Sequence, residues 1–143
     1  MIRSAEEFIS LRDSALKHEY DRSAFEEAPI SVWHEVIDHY PNHSRWVAHN
    51  KTVPVEILER LANSDELTRE FVAQKRKLTL NLFEQLASDS CVSVRIAIAA
   101  NRKCPSGLLK RLLADTDAAV VRVATRNFQA RLAKEAKRHM AQQ

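Results

Sequence analysis

Four histidines fall within one short stretch, His34, His39, His43 and His49, interleaved with Trp33, Tyr40 and Trp46. Imidazoles at this density are the raw material of a zinc site, which needs three or four ligands converging in their metal-binding forms. The run His34-Glu35-Val36-Ile37-Asp38 would complete an H-E-x-x-H zinc helix only with histidine at position 38, where Asp38 stands. Pro41 interrupts the segment, so His39 and His43 need not share a helix face. These residues therefore read as polar surface and inter-helix groups, and neither a metal nor a cofactor is expected. Cys91 and Cys104 match neither a zinc spacing nor a disulfide framework. They read as buried free thiols, which suits a reducing cytoplasm.

Catalytic chemistry has no better foothold. The acidic pairs Glu26–Glu27, Glu56–Glu59 and Asp115–Asp117 fall where helix starts and solvated faces want them. Nothing couples a serine or cysteine nucleophile to a recognisable base, so no catalytic residue is assigned and a non-enzymatic role is expected.

Charge says more. The chain carries 22 Lys+Arg against 19 Asp+Glu, a net of +3, with a pI near 9.0. Residues 1–40 hold 4 basic and 9 acidic groups, whereas residues 121–143 hold 6 basic and 1 acidic. Basic residues also recur in register. Lys51, Arg76 and Arg102 are followed by Thr52, Lys77 and Lys103, at spacings of 25 and 26. Cations at helix C-termini complement helix dipoles. One charge per end would do that, and Lys75-Arg76-Lys77 supplies three.

The elements that position these residues follow from a single glycine in 143 residues, with 45% apolar types. So little glycine excludes phosphate-binding loops, dinucleotide fingerprints and most hairpin turns, and leaves a helical protein. The longest apolar run, Ile96 to Ala100, is far short of the ~20 residues that a membrane helix needs. The polar start, with Arg3, Glu6 and Glu7, does not read as a signal peptide.

A repeat organises the chain. Pro29, Pro54, Thr79 and Pro105 lie 25, 25 and 26 residues apart. Three and four residues after each come Val32-Trp33, Ile57-Leu58, Leu82-Phe83 and Leu108-Leu109. Seven and eight after come Val36-Ile37, Leu61-Ala62, Leu86-Ala87 and Leu112-Leu113. All sixteen are apolar at offsets that share one helix face, so all sixteen are expected to be buried. Proline at the anchor suits a helix start. A second helix precedes each of the last three anchors, with the columns Trp46/Phe71/Ala97, Val47/Val72/Ile98 and Ala48/Ala73/Ala99. Asn50 and Asn101 follow these columns, where a left-handed helix end is expected. Cys104 shares a column with Val53 and Leu78, which places it in the core.

Units of about 25 residues cannot bury their own apolar faces and must stack. The expected fold is all-α, a right-handed α-solenoid of about four two-helix repeats over residues 20–116, in one domain spanning 1–143. Residues 1–19 are expected as an N-terminal cap helix carrying Phe8, Leu11 and Leu16, opened by a capping box at Ser4-Ala5-Glu6-Glu7. Residues 117–143 are expected as a closing helix with Val121, Ala124, Phe128, Leu132, Ala136 and Met140 along one stripe.

The segment from Val94-Arg95 through Asn101 and Pro105 to Leu112-Leu113-Ala114-Asp115 resembles a unit of the leucine-rich repeat variant family, a HEAT-like α-solenoid. Trp46-Val47-Ala48-His49-Asn50, then Pro54, Ile57-Leu58 and Leu61-Ala62, match the same pattern. The resemblance implies fold and is nearly silent on function. One type in that family carries an iron–sulfur cluster on N-terminal cysteines, which this chain does not have there.

The expected function is a non-catalytic interaction module, an adaptor, scaffold or immunity-type inhibitor partner. It would offer Lys51, Arg76, Lys77, Arg102, Lys103, Arg122 and Arg126 to an acidic protein surface, with no membrane involved. The alternative is a HEAT-like nucleic-acid-binding protein linked to DNA repair. It is disfavoured because aromatic residues do not interleave with the basic ones.

Overall fold

The computed structural model describes residues 1–143, all-α and without a strand. The chain divides into two compact units, Met1–Val72 and Ala73–Gln143.

In the first unit, α1 (Ala5–Asp13) and α2 (Lys17–Phe25) precede α3 (Ile30–His39). A 3-10 turn at Pro41–His43 leads into α4 (Ser44–His49), then α5 (Val55–Leu61) and α6 (Glu66–Ala73), whose last residue begins the second unit. Ser4 caps α1 by accepting a hydrogen bond from the Glu7 N–H at 3.0 Å, one half of the expected capping box. The 1–19 segment is not one helix. The Ser14 hydroxyl accepts the Leu16 N–H at 3.0 Å, which turns the chain after α1. Leu16 consequently points outward, 53% exposed, while Phe8 packs edge-on against Trp33 with ring centroids 5.2 Å apart.

The second unit holds α7 (Leu80–Ala87), α8 (Val92–Ala100), α9 (Ser106–Leu112) and the long α10 (Ala118–Ala141). Thr79 caps α7 through its hydroxyl, which accepts the Leu82 N–H, and Asp117 caps α10 by accepting the Ala119 N–H. The prolines before α3, α5 and α9 sit at the N-cap rather than inside the first turn. There their carbonyls take the first intrahelical N–H bonds, from Val32, Ile57 and Leu109.

Fourteen of the sixteen periodic apolar residues are buried, and Ile37 and Leu113 are half-buried at the helix ends. The Val47/Val72/Ile98 and Ala48/Ala73/Ala99 columns are buried throughout. Cys104 is buried with them, and that burial pushes its thiol above the ordinary range, against a smaller opposing pull from Arg131.

Two further expectations need correction. No residue has positive φ, and Asn50 (φ −57°) and Asn101 (φ −69°) end their helices in extended backbone. The amide, not a left-handed turn, explains asparagine here. Asn50 Nδ2 donates to the Ser23 and Glu26 carbonyls at 2.8 and 3.0 Å. Asn101 Nδ2 donates to the Ala73 and Lys75 carbonyls at 2.9 and 2.7 Å. Each thereby satisfies carbonyls at the end of a helix 24–28 residues upstream, while its Oδ1 accepts the N–H two residues on, from Thr52 or Lys103. Asn127, 26 residues after Asn101, repeats the contact on the Ala99 and Asn101 carbonyls from inside α10.

The second correction concerns α10. Val120 and Ala124 are buried and Phe128 is half-buried, but Leu132 is 50% and Met140 75% exposed. The apolar stripe continues in sequence past the point where the second unit covers it. No helix is long and apolar enough to cross a membrane.

Candidate interaction surface

Five of the seven expected cations occupy corresponding turns. Lys51 lies in the turn after α4, in the first unit, exposed, with its N–H bonded to the Ala24 carbonyl at 2.7 Å. Arg76 and Lys77 lie in the exposed bend before α7, and Arg102 and Lys103 in the exposed turn between α8 and α9. Arg122 and Arg126 are exposed on α10. Each turn follows a helix C-terminus, so part of this charge answers the negative end of the helix dipole.

Two of these residues share a groove. Arg102 and Arg126 line a groove of about 430 Å³ in the second unit, with Arg131 and Lys134. Its floor is Ala100, Val123 and Ala130, with Asn127 at one wall. Helix spacing on α10 sets this arrangement: 123, 126, 127, 130, 131 and 134 fall on one face. The Arg131 guanidinium is held by its own chain, donating to Asn127 Oδ1 at 3.2 Å and to the Arg102 and Asn101 carbonyls at 3.1 and 3.4 Å. Arg102, Arg126 and Lys134 project toward the groove without a carboxylate among the lining residues. Four cations therefore surround a small apolar floor.

Arg131 and Lys134 were not among the residues singled out by sequence. The signal was present in Asn127, which continues the period of Asn101, and in the i+4 step from Asn127 to Arg131.

The acidic turns are structural in the second unit. Arg95 Nε and its terminal nitrogen bond Asp115 at 3.0 and 3.3 Å, while the other nitrogen donates to the Asp89 carbonyl at 2.8 Å. Burial alone would raise the Asp115 carboxyl. The Asp117 N–H and Arg95 outweigh it and hold the carboxyl below its ordinary range.

The histidines go to separate partners. His34 Nδ1 meets an Arg60 guanidinium nitrogen at 2.9 Å, and Arg60 also pairs with Asp38, holding that carboxyl below its ordinary range. His43 Nε2 pairs with Asp13 at 2.9 Å. His49 lies beside Trp46 and Phe71, with ring centroids 5.8 and 6.2 Å away, and His39 is exposed at the end of α3. No three His, Cys, Asp or Glu side chains converge.

No family model, curated protein or solved structure matches the chain.

Proposed function

We propose that the chain is a right-handed α-solenoid of about four two-helix repeats, acting as a non-catalytic module that binds an acidic protein partner. The buried columns at a period of 25–26 and the asparagine contacts reaching 24–28 residues upstream support the solenoid reading. The α10 groove carries the functional reading. Like charges crowded round one groove repel, and an anionic occupant relieves that repulsion. The Ala100, Val123 and Ala130 floor suits an apolar side chain flanked by carboxylates. It offers no aromatic platform on which a nucleic-acid base could stack.

The test uses two fluorescent probes, an acidic leucine-containing peptide and a short DNA duplex, against the parent and an R102S/R126S/K134S variant. The peptide should bind the parent saturably with a gentle salt slope, and the variant should lose that binding while keeping its far-UV helicity. Equal peptide binding by parent and variant refutes the assignment. Binding of DNA alone, weakening steeply and log-linearly with salt, transfers the groove to nucleic acid.

A further inference from the structure

The first unit contains a second cavity, of about 610 Å³, that the basic edge does not use. It is lined by Ile37, Pro41, Asn42, Ser44, Arg45, Ser64, Asp65 and Thr68. Its origin is visible in the repeat register. Ten residues before Thr79 and Pro105 stand Arg69 and Arg95, and ten residues after them stand Asp89 and Asp115. Arg69 donates to the Ser64 carbonyl at 2.7 Å, as Arg95 does to the Asp89 carbonyl, and Arg95 also grips Asp115. The corresponding positions around Pro54 are Ser44 and Ser64. Two hydroxyls thus stand where another repeat places a guanidinium and a carboxylate, and the cavity lies between them.

The missing charges are displaced by one residue rather than lost. Arg45 follows Ser44, and Asp65 follows Ser64. The Arg45 Nε is buried without any hydrogen-bond acceptor, an expensive condition for a guanidinium nitrogen. Its Cζ lies 5.5 Å from the Trp46 ring centroid. Asp65 accepts a hydrogen bond from the Thr68 hydroxyl and lines the same cavity as Arg45. Ser44 is only 3% exposed and lines the cavity.

We propose that this cavity binds a basic amino acid, arginine or lysine, either free or as the C-terminal residue of a peptide. The carboxylate of the ligand meets the Arg45 guanidinium and the Ser44 hydroxyl. Its distal cation meets Asp65, and its alkyl stem fills the space that the Arg95 side chain fills in its own repeat. The Ile37 and Pro41 side chains cover that stem.

Calorimetric titration of the full chain tests this with arginine, lysine, norleucine and agmatine, and with a short peptide ending in arginine beside its C-terminal amide. Arginine or the peptide acid should bind saturably. Norleucine lacks the distal cation, and agmatine and the peptide amide lack the carboxylate; each should bind at least about tenfold more weakly. S44R, which fills the cavity from within, should abolish binding, and D65N should weaken it at least about tenfold with helicity unchanged. Preference for the free amino acid or for the peptide identifies the source, and either supports the site. Absence of saturable binding by both overturns it, as does D65N binding arginine as tightly as the parent.

Discussion

Replacing Asn101 by alanine tests the asparagine contacts directly. Its Nδ2 serves the Ala73 and Lys75 carbonyls, and its Oδ1 takes the Lys103 N–H. Ala73 is fully buried, so its carbonyl loses a donor that water cannot replace, at about 1–3 kcal/mol. Lys75 is half-buried and Lys103 exposed, so water recovers part of those two bonds. The whole should be about 2–5 kcal/mol, read from urea unfolding as a lower midpoint at unchanged slope. Asn127→Ala removes a half-buried amide from the corresponding pair of acceptors, the Ala99 and Asn101 carbonyls, and should cost less, about 1–2 kcal/mol. Asn101→Asp keeps the shape but turns a carboxylate toward two carbonyl oxygens. Its folded-state pKa is therefore raised, so its relative stability should be highest below the ordinary aspartate range and fall as pH rises through the shifted value. An Asn101→Ala variant within about 0.5 kcal/mol of the parent would refute the reasoning.

Leu109→Ala, at a fully buried position, should cost about 2–5 kcal/mol, whereas Leu132→Ala, 50% exposed on α10, should stay within about 0.5 kcal/mol. Thermal melts of both variants check the contrast. The one glycine, Gly107, sits in α9 with open space where a Cβ would project, so Gly107→Ala should stabilise by up to about 1 kcal/mol. The depressed Asp115 carboxyl contributes stability above the unfolded-state value of about 3.9, and that contribution is lost as pH falls through the lower folded value. Arg95→Met should flatten this part of an acid-unfolding curve.

The helices were legible because an apolar residue at offsets of three, four, seven and eight has one physical meaning, and the burial of Leu58, Leu86 and Leu109 follows from it. The asparagines were harder. A cap residue explains itself locally, and nothing in Asn101 alone discloses that its amide reaches carbonyls 26 and 28 residues away. The C-terminal stripe misled for a related reason: Leu132 and Met140 keep the helical spacing whether or not anything covers them. Of the candidate groove, Arg102 and Arg126 could be named from charge and register. Arg131 and Lys134 looked like ordinary charges on a closing helix until the groove gave them a common wall. The cavity beside Ser44 was hidden because serine in a polar turn draws no notice until arginine is seen at the same register elsewhere.

The uncovered end of α10 has a dynamic consequence. The helix is 24 residues long, and from residue 132 onward every residue is exposed. A peptide helix of about ten residues is marginal in water, since nucleation is costly and only backbone bonds and propensity sustain it. Ala133, Ala136 and the surrounding Lys and Arg favour helix, and the docked first turns supply the nucleus. These uncovered turns are sustained only locally, and helix–coil relaxation over such a length runs on the sub-microsecond scale. Their amides are expected to exchange with solvent before that of buried Ala124. An occupant of the adjoining groove that reached Lys134 would slow that exchange and lengthen the helix.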